Sequence, residues 1–288
     1  MIVDVHSHIG RLGSDYATMQ RRESVDSTAL VRNMDKLGIE KSCVLPLCDC
    51  PEGWYLKNTT EDVITACSEY PDRLIPFCLI DPRFGDNSPK SDLSELFTEY
   101  KERGCRGLGE LIAKIEFDDP RAINLYDHAG KAGFPVLFDM NIASFYGVLD
   151  DPGMPRLENA LRQCPHTIFI GHGPTFWAEI SGEDIRIGYP KGPVKPKGAV
   201  PRLMERYDNL WADLSAGSAY NALTRDRKYG LEFIDRFHYK LLFGTDLTKR
   251  DEDAPIIHYF RKIHSEHSLS EPKCKAILRE NAIRLLNI

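Results

Sequence analysis

Six side chains of the kinds that bind cations or move protons fall where runs of apolar residues end. His6 and His8 close "MIVDVHSH", Glu110 lies in "CRGLGELIA" and Asp139 in "FPVLFDMN", while His172 belongs to "TIFIGHG" and Asp246 ends "KLLFGTD". Residues two apart on a strand share a face, so His6 and His8 can aim two imidazoles at one point from a rigid mount. Imidazole with carboxylate is the ordinary ligand mixture for Zn²⁺ and similar ions, and a catalytic ion keeps one position open for water. Singly, each motif has a plainer reading. A His-x-His can be just a strand end, "GHG" a turn around a hydrogen-bonded histidine, and "GTD" a cap accepting from helix amides.

The elements that would carry these groups decide between the readings. Short apolar, β-branched runs start at residues 1, 41, 73, 105, 134, 167, 209 and 240, spaced 29 to 42 residues apart. Helix-period segments fill the gaps: "STALVRNMDKLG", "TEDVITACSEY", "LSELFTEYKERG", "AINLYDHAGKAG", "LENALRQC", "VPRLMERY" and "YGLEFIDRF". A terminal "EPKCKAILRENAIRLL" follows, with Ser270 as its expected N-cap and Pro272 in its first turn. Thr59 with Asp62 has the spacing of a capping box. Strands that are apolar throughout indicate a parallel sheet covered on both faces, and eight such units close into a (β/α)₈ TIM barrel. An open doubly wound sheet is the competitor, but "HSHIGRLGSD" lacks the glycine spacing of a dinucleotide fingerprint. No linker interrupts the pattern, so residues 1–288 are expected to form one domain. In such a barrel the strand C-termini form the reactive face, and all six polar groups fall there.

Composition narrows the partners. A net charge of −6 leaves no basic footprint for nucleic acid or an anionic membrane, and no apolar run is long enough to span a bilayer. The chain opens directly on strand-like "MIVDV", without the charged and apolar regions of a signal peptide, so the expected compartment is the cytoplasm. The eight cysteines sit singly in apolar segments and read as small buried hydrophobes; "CDC" (Cys48, Cys50) could take a soft metal but has no second pair.

With these residues in hand, "VDVHSH", "FIGHG", "LLFGTD" and the terminal "ILRENAIRLL" resemble the amidohydrolase superfamily, in its amidohydrolase-related (amidohydrolase 2) branch. The resemblance implies a distorted TIM barrel with one or two divalent ions. It implies a ligand role for His6, His8 and His172, and a double role for Asp246 as ligand and base. One departure stands out. The fifth-strand motif usually reads like "PVLIH", whereas "PVLFD" places Asp139 where a histidine ligand would stand. Glu110 is similar to the glutamate ligand of some hydrolases in the superfamily. More carboxylate and less imidazole moves the preference from Zn²⁺ towards Mn²⁺ or Mg²⁺, unless Asp139 instead orients a liganding histidine.

The expected activity is metal-dependent hydrolysis of an amide, ester or lactone in a small molecule, by a metal-activated water with Asp246 as proton acceptor. Metal-dependent decarboxylation, known in the same branch, is the alternative, and a non-catalytic binder the third. For substrate contacts the sequence offers Ser215, Ser218, Asn221 and Arg225 after the seventh strand, with Trp177 and Tyr189 for stacking. The insert from Pro174 to Pro201 forms either a lid or a surface loop; Arg186, Lys191, Lys195 and Lys197 make it basic, which suits an anionic substrate and suits solubility equally. Homo-oligomerisation is left open.

Overall fold

The computed structural model describes residues 1–12, 25–183 and 188–288. Eight parallel strands carry the fold: β1 (Ile2–Ser7), β2 (Ile39–Val44), β3 (Leu74–Pro76), β4 (Leu108–Leu111), β5 (Val136–Asp139), β6 (Phe169–His172), β7 (Leu210–Asp213) and β8 (Leu241–Leu242). They pair in chain order in two runs, β1 to β3 and β4 to β8. Both seams are closed. Cys78, just past β3, bridges Leu108, with Gly109 N donating to Cys78 O at 2.8 Å. At the other seam Val5 N donates to Phe243 O and Asp246 N to His6 O, at 2.9 and 2.7 Å. The result is the expected (β/α)₈ barrel. β3 and β8 are shorter than the apolar runs that announced them, because only a few residues of each run find ladder partners.

Helices cover the outside: α1 (Ser27–Leu37), α2 (Thr60–Ser68), α3 (Ser94–Glu102), α4 (Pro120–Ala132), α5 (Pro155–Gln163), α6 (Pro174–Ala178), α7 (Ala199–Arg206), α8 (Ala216–Thr224), α9 (Arg227–Phe237) and α10 (Pro255–Ser265). The capping box on α2 is present: Thr59 Oγ1 accepts from Asp62 N, and the Asp62 carboxylate accepts from Thr59 N. Ser270 stands at its N-cap position, but its side chain makes no capping bond. The short α6 and the longer α8 and α10 are additions to the expected helices.

Every residue of β4 to β7 is buried, as two covered faces require. One apolar cluster joins Val3, Cys43, Ile75, Leu137, Ile170, Trp211 and Leu242, contributed by seven strands, which only a barrel interior can bring together. Ala282 and Leu286 of the terminal helix Asn281–Leu286 pack into it. Above this layer Asp4 ties the seam: its carboxylate accepts from Thr245 N and Oγ1 at 3.0 and 2.6 Å, Ser42 Oγ at 3.1 Å and His6 N at 3.0 Å. Among the described residues, no helix is long and apolar enough to cross a membrane.

Candidate active site

The ends of β1, β4, β5 and β6 and the loop after β8 converge. His6 Nε2 and His8 Nε2 lie 3.0 Å apart. Glu110 Oε2 stands 3.4 Å from the first and 3.3 Å from the second, and Asp246 Oδ1 stands 3.7 and 3.4 Å away. His172 Nε2 lies 3.8 Å from Glu110 Oε1. Asp139 is the register partner of His172 and buried beside it. All six residues read from strand ends therefore meet at one mouth.

The outer nitrogens explain why the inner ones face inwards. His8 Nδ1 donates to Leu45 O at 2.8 Å, while His6 Nδ1 and His172 Nδ1 both donate to Asp213 Oδ2, at 2.7 and 3.0 Å. A carbonyl and a carboxylate only accept, so each Nδ1 carries the proton and each Nε2 keeps a lone pair for a cation. Burial alone would raise the Asp213 carboxyl, but hydrogen bonds from His172 and His6 outweigh it and hold it well below the usual range. Asp213 was not among the expected residues. It ends the seventh strand, so the strand-end rule that selected the other six would have found it.

The cluster calls for positive charge. Burial opposes protonation of His8, yet hydrogen bonds with Asp246 and Glu110 push its pKa up to about 9. His6 is also raised well above its ordinary value, burial being outweighed by the Glu110 charge and by Asp213. Glu110 is held far below its ordinary value despite burial, because His6, His8 and His172 surround it. Asp139 is driven the opposite way by burial and then by the Glu110 charge, and its Oδ1 has no hydrogen-bond partner among the described residues. An orphaned carboxylate oxygen in a nest of imidazoles is the place a cation would satisfy. Two sets have ligand atoms within 4.8 Å of one another: His6–Glu110–His172 and His6–His8–Asp246. They share His6, whose single free lone pair on Nε2 can serve one ion, so the two sets overlap in one site.

Backbone geometry fits the motifs. Gly173 of "GHG" has φ +100°, and a Cβ there would stand 2.3 Å from Asp139 Oδ1, so only glycine lets β6 turn past Asp139. Asp246 itself sits at φ +59°, in the left-handed region that aspartate and asparagine tolerate best among side-chain-bearing residues.

A cleft of about 350 Å³ opens on this cluster. Tyr55, Tyr146 and Tyr189 are on its wall, and Glu252 and Asp253 join Glu110, Asp139 and Asp246 as its carboxylates. Several expected substrate contacts are corrected here. Trp177 is buried, its Nε1 donating to Asp213 O at 3.0 Å, so it packs behind the site instead of stacking on a ligand. Ser215 Oγ donates to Asp213 Oδ2 at 2.5 Å and supports the histidine orienter from below. Ser218 is buried on α8 with its hydroxyl unpartnered, and Asn221, a turn later, is outside the cleft wall. Arg225 folds away from the mouth, donating to Gly192 O at 3.0 Å with Glu183 3.6 Å distant. α6 carries Trp177 behind the site. The other four lie on α8 or at its ends, and only the first residues of that helix, Ala216 and Gly217, reach the cleft. Of the insert, Tyr189 reaches the cleft, whereas Lys191, Lys195 and Lys197 are exposed away from it and Arg186 lies outside the described residues.

All eight cysteines are free thiols. Cys50 does group with Glu52 and Asp81, but Arg83 already occupies both carboxylates, at 2.8 and 2.6 Å.

No curated protein sequence is similar enough to match the chain. Solved structures of the same shape span its whole length. A probable 2-pyrone-4,6-dicarboxylic acid hydrolase from Acinetobacter baumannii, with citric acid bound, superposes with a TM-score of 0.63 at 14% identity, covering 100% of this chain and 99% of that one. An amidohydrolase from Burkholderia multivorans with bound zinc gives 0.66 at 13% identity, with 100% and 99% covered. A dihydroxybenzoic acid decarboxylase from Polaromonas sp. JS666, with manganese and the inhibitor 2-nitroresorcinol, gives 0.58 at 16%, with 99% and 96% covered. Hydrolase and decarboxylase thus share this barrel, and the likeness establishes the fold alone. Family membership comes from the sequence: residues 49–288 match the amidohydrolase (Amidohydro_2) family, a match that starts beyond β1 and its two histidines. The chain belongs to the amidohydrolase family, an enzyme of a metal-dependent superfamily built on the TIM barrel.

Proposed function

We propose that this enzyme is a metal-dependent hydrolase acting on an amide, ester or lactone in an uncharged small molecule. The observation that carries the reading is the charge of the cleft. Five carboxylates line it, and no lysine or arginine does among the described residues. A decarboxylase must seat a carboxylate substrate, and among the described residues this wall offers no basic side chain to welcome one. The same observation replaces the anionic substrate suggested by the insert's lysines.

In this reading His6, His8, His172 and Glu110 would hold the ion, with Asp139 Oδ1 and Asp246 beside it. Three imidazoles keep Zn²⁺ the expected ion, and the added carboxylates leave Mn²⁺ or Mg²⁺ as the alternatives. The ion would supply Lewis-acid polarisation of the scissile carbonyl and a lowered pKa for water. Asp213 and Leu45 O fix the imidazoles, so the ligand atoms need little reorganisation. Asp246, the most accessible of the three inner carboxylates, takes the proton from the attacking water at Oδ1 and returns it to the leaving group. Residues 1–288 act as one domain.

Glu110→Gln is expected to weaken metal binding at least about tenfold, measured by competition with a chromogenic chelator. Wild-type affinity in that variant would make Glu110 a structural carboxylate. The function itself is tested by assaying zinc-loaded protein on neutral lactones, esters and amides beside benzoic acids carrying hydroxyl groups. Turnover of the neutral set is expected; release of carbon dioxide from the acids would reverse the reading.

A further inference from the structure

Four aromatic rings run from inside the cleft out onto the surface. Tyr55 and Tyr146 belong to its wall, with ring centroids 5.4 Å apart. Phe145 lies 5.6 Å from Tyr55, edge-on, and Trp54 lies 5.7 Å from Phe145. Trp54 and Phe145 are 51% and 47% exposed, an unusual state for two large adjacent rings at a cleft mouth.

The platform is rigidly mounted. Trp54 and Tyr55 sit on the short 3₁₀ turn Pro51–Tyr55 after β2, pressed so close that a Cβ on Gly53 would stand 1.9 Å from Leu47 O. Arg83 clamps Glu52 of that turn through two hydrogen bonds, at 3.1 and 2.8 Å. Phe145 and Tyr146 come from the loop after β5, which Lys114 Nζ holds by the carbonyls of Asn141, Ile142 and Tyr146. The same residue's backbone N donates to Glu52 Oε1 at 3.1 Å, so Lys114 joins the two halves. Rings ordered in advance bind a planar partner without a further entropy cost.

From this continuity we infer that the substrate carries a planar apolar group, an aryl or comparable flat ring, which lies on the Trp54–Phe145 lip while its scissile bond reaches the carboxylate and histidine cluster. This rests on the cleft being the reactive site, as proposed above, and adds the chemical class of the substrate's distal part. The lip acts by stacking; it donates and accepts no proton in the reaction.

The probe is 2-naphthol, a neutral flat ring, titrated into metal-loaded and metal-free protein. Of the three tryptophans, Trp177 and Trp211 are buried, so changes in emission from exposed residues report Trp54. Binding is expected to perturb that emission and to weaken roughly three- to tenfold in Trp54→Ala and in Phe145→Ala, with Trp54→Phe largely restoring it. Both rings are half in solvent, so circular dichroism and thermal melting should match wild type. Equal affinity in wild type and both alanine variants overturns the inference and leaves the hydrolase reading intact. Lip-dependent binding without turnover of any ester, lactone or amide upholds it and defeats the hydrolase reading. Failure to bind 2-naphthol, with a wild-type dimer that the alanine variants turn into monomer in sedimentation, overturns it in favour of a contact between two copies of this chain.

Discussion

Replacing His6 with alanine is expected to abolish metal binding and to remove the stabilisation that metal gives the wild-type barrel. His6 is the residue common to both candidate ligand sets, so its loss breaks both of them. The ring also separates Glu110, 3.4 Å from its Nε2, from Asp213, 2.7 Å from its Nδ1. Without it two buried carboxylates lose their shared partner, and removing one member of a buried pair commonly costs about 3–5 kcal/mol. Wild-type protein should melt higher with zinc than after chelation, since a ligand at about 1,000 times its Kd adds about 4.1 kcal/mol. The variant should melt lower than wild type and show no difference between the two conditions. His172→Ala, which leaves the His6–His8–Asp246 set intact, should lose affinity less completely. Full metal content in His6→Ala after dialysis, read by elemental analysis, would remove His6 from the ligand set.

The barrel was legible because its evidence is repetitive. Eight apolar runs at a spacing of one strand plus one helix leave few architectures, and strands buried on both faces exclude an exposed sheet. Local chemistry read well wherever it depends on neighbours in sequence, as at Thr59 and Asp62. Strand lengths did not. An apolar run such as "KLLFGTD" records burial, whereas ladder pairing also needs a partner in register, and only Leu241–Leu242 has one on the β7 side. α8 was missed for a related reason: "SAGSAYNALT" is built largely from small residues that mark no strong apolar stripe, and its helix packs against α6 and α9.

For the site, alternation and strand-end position were enough to gather His6, His8, Glu110, Asp139, His172 and Asp246. What sequence could not supply was which way the chain turns after each strand. Ser215, Ser218, Asn221 and Arg225 follow β7 directly, but α8 starts at once and takes their side chains behind the mouth. Trp177 is withdrawn in the same way by α6. The cleft wall is built instead from residues distant in sequence, among them Tyr55, Tyr146 and Glu252, whose meeting depends on loop paths that no local pattern encodes. Charge misled in the same manner. The lysines of the insert are real, but they face solvent, and the surface a substrate meets is acidic.

Asp246→Asn is expected to give a folded, metal-containing protein that turns over at least about a hundredfold more slowly, the scale of a missing general base. The substitution is clean for a backbone reason as well as a steric one. At φ +59° most side chains would strain the loop, but asparagine is among the few residues at ease there, so the peptide and its bond from Asp246 N to His6 O should survive. The amide retains one oxygen near His6 and His8 Nε2, now 3.7 and 3.4 Å from the carboxylate, so metal content should fall modestly if at all. Proton acceptance is the property it loses. Asp246→Ala provides the contrast: it removes the oxygen and adds left-handed strain of about 1 kcal/mol, so it should lower the melting temperature as well as the rate. Elemental analysis, melting curves and kcat on the same preparation separate these effects. An Asn variant with full metal, normal melting and near-normal kcat would take the proton-transfer role from Asp246 and leave Asp139, the mouth carboxylate with an unpartnered oxygen, as the residue to test.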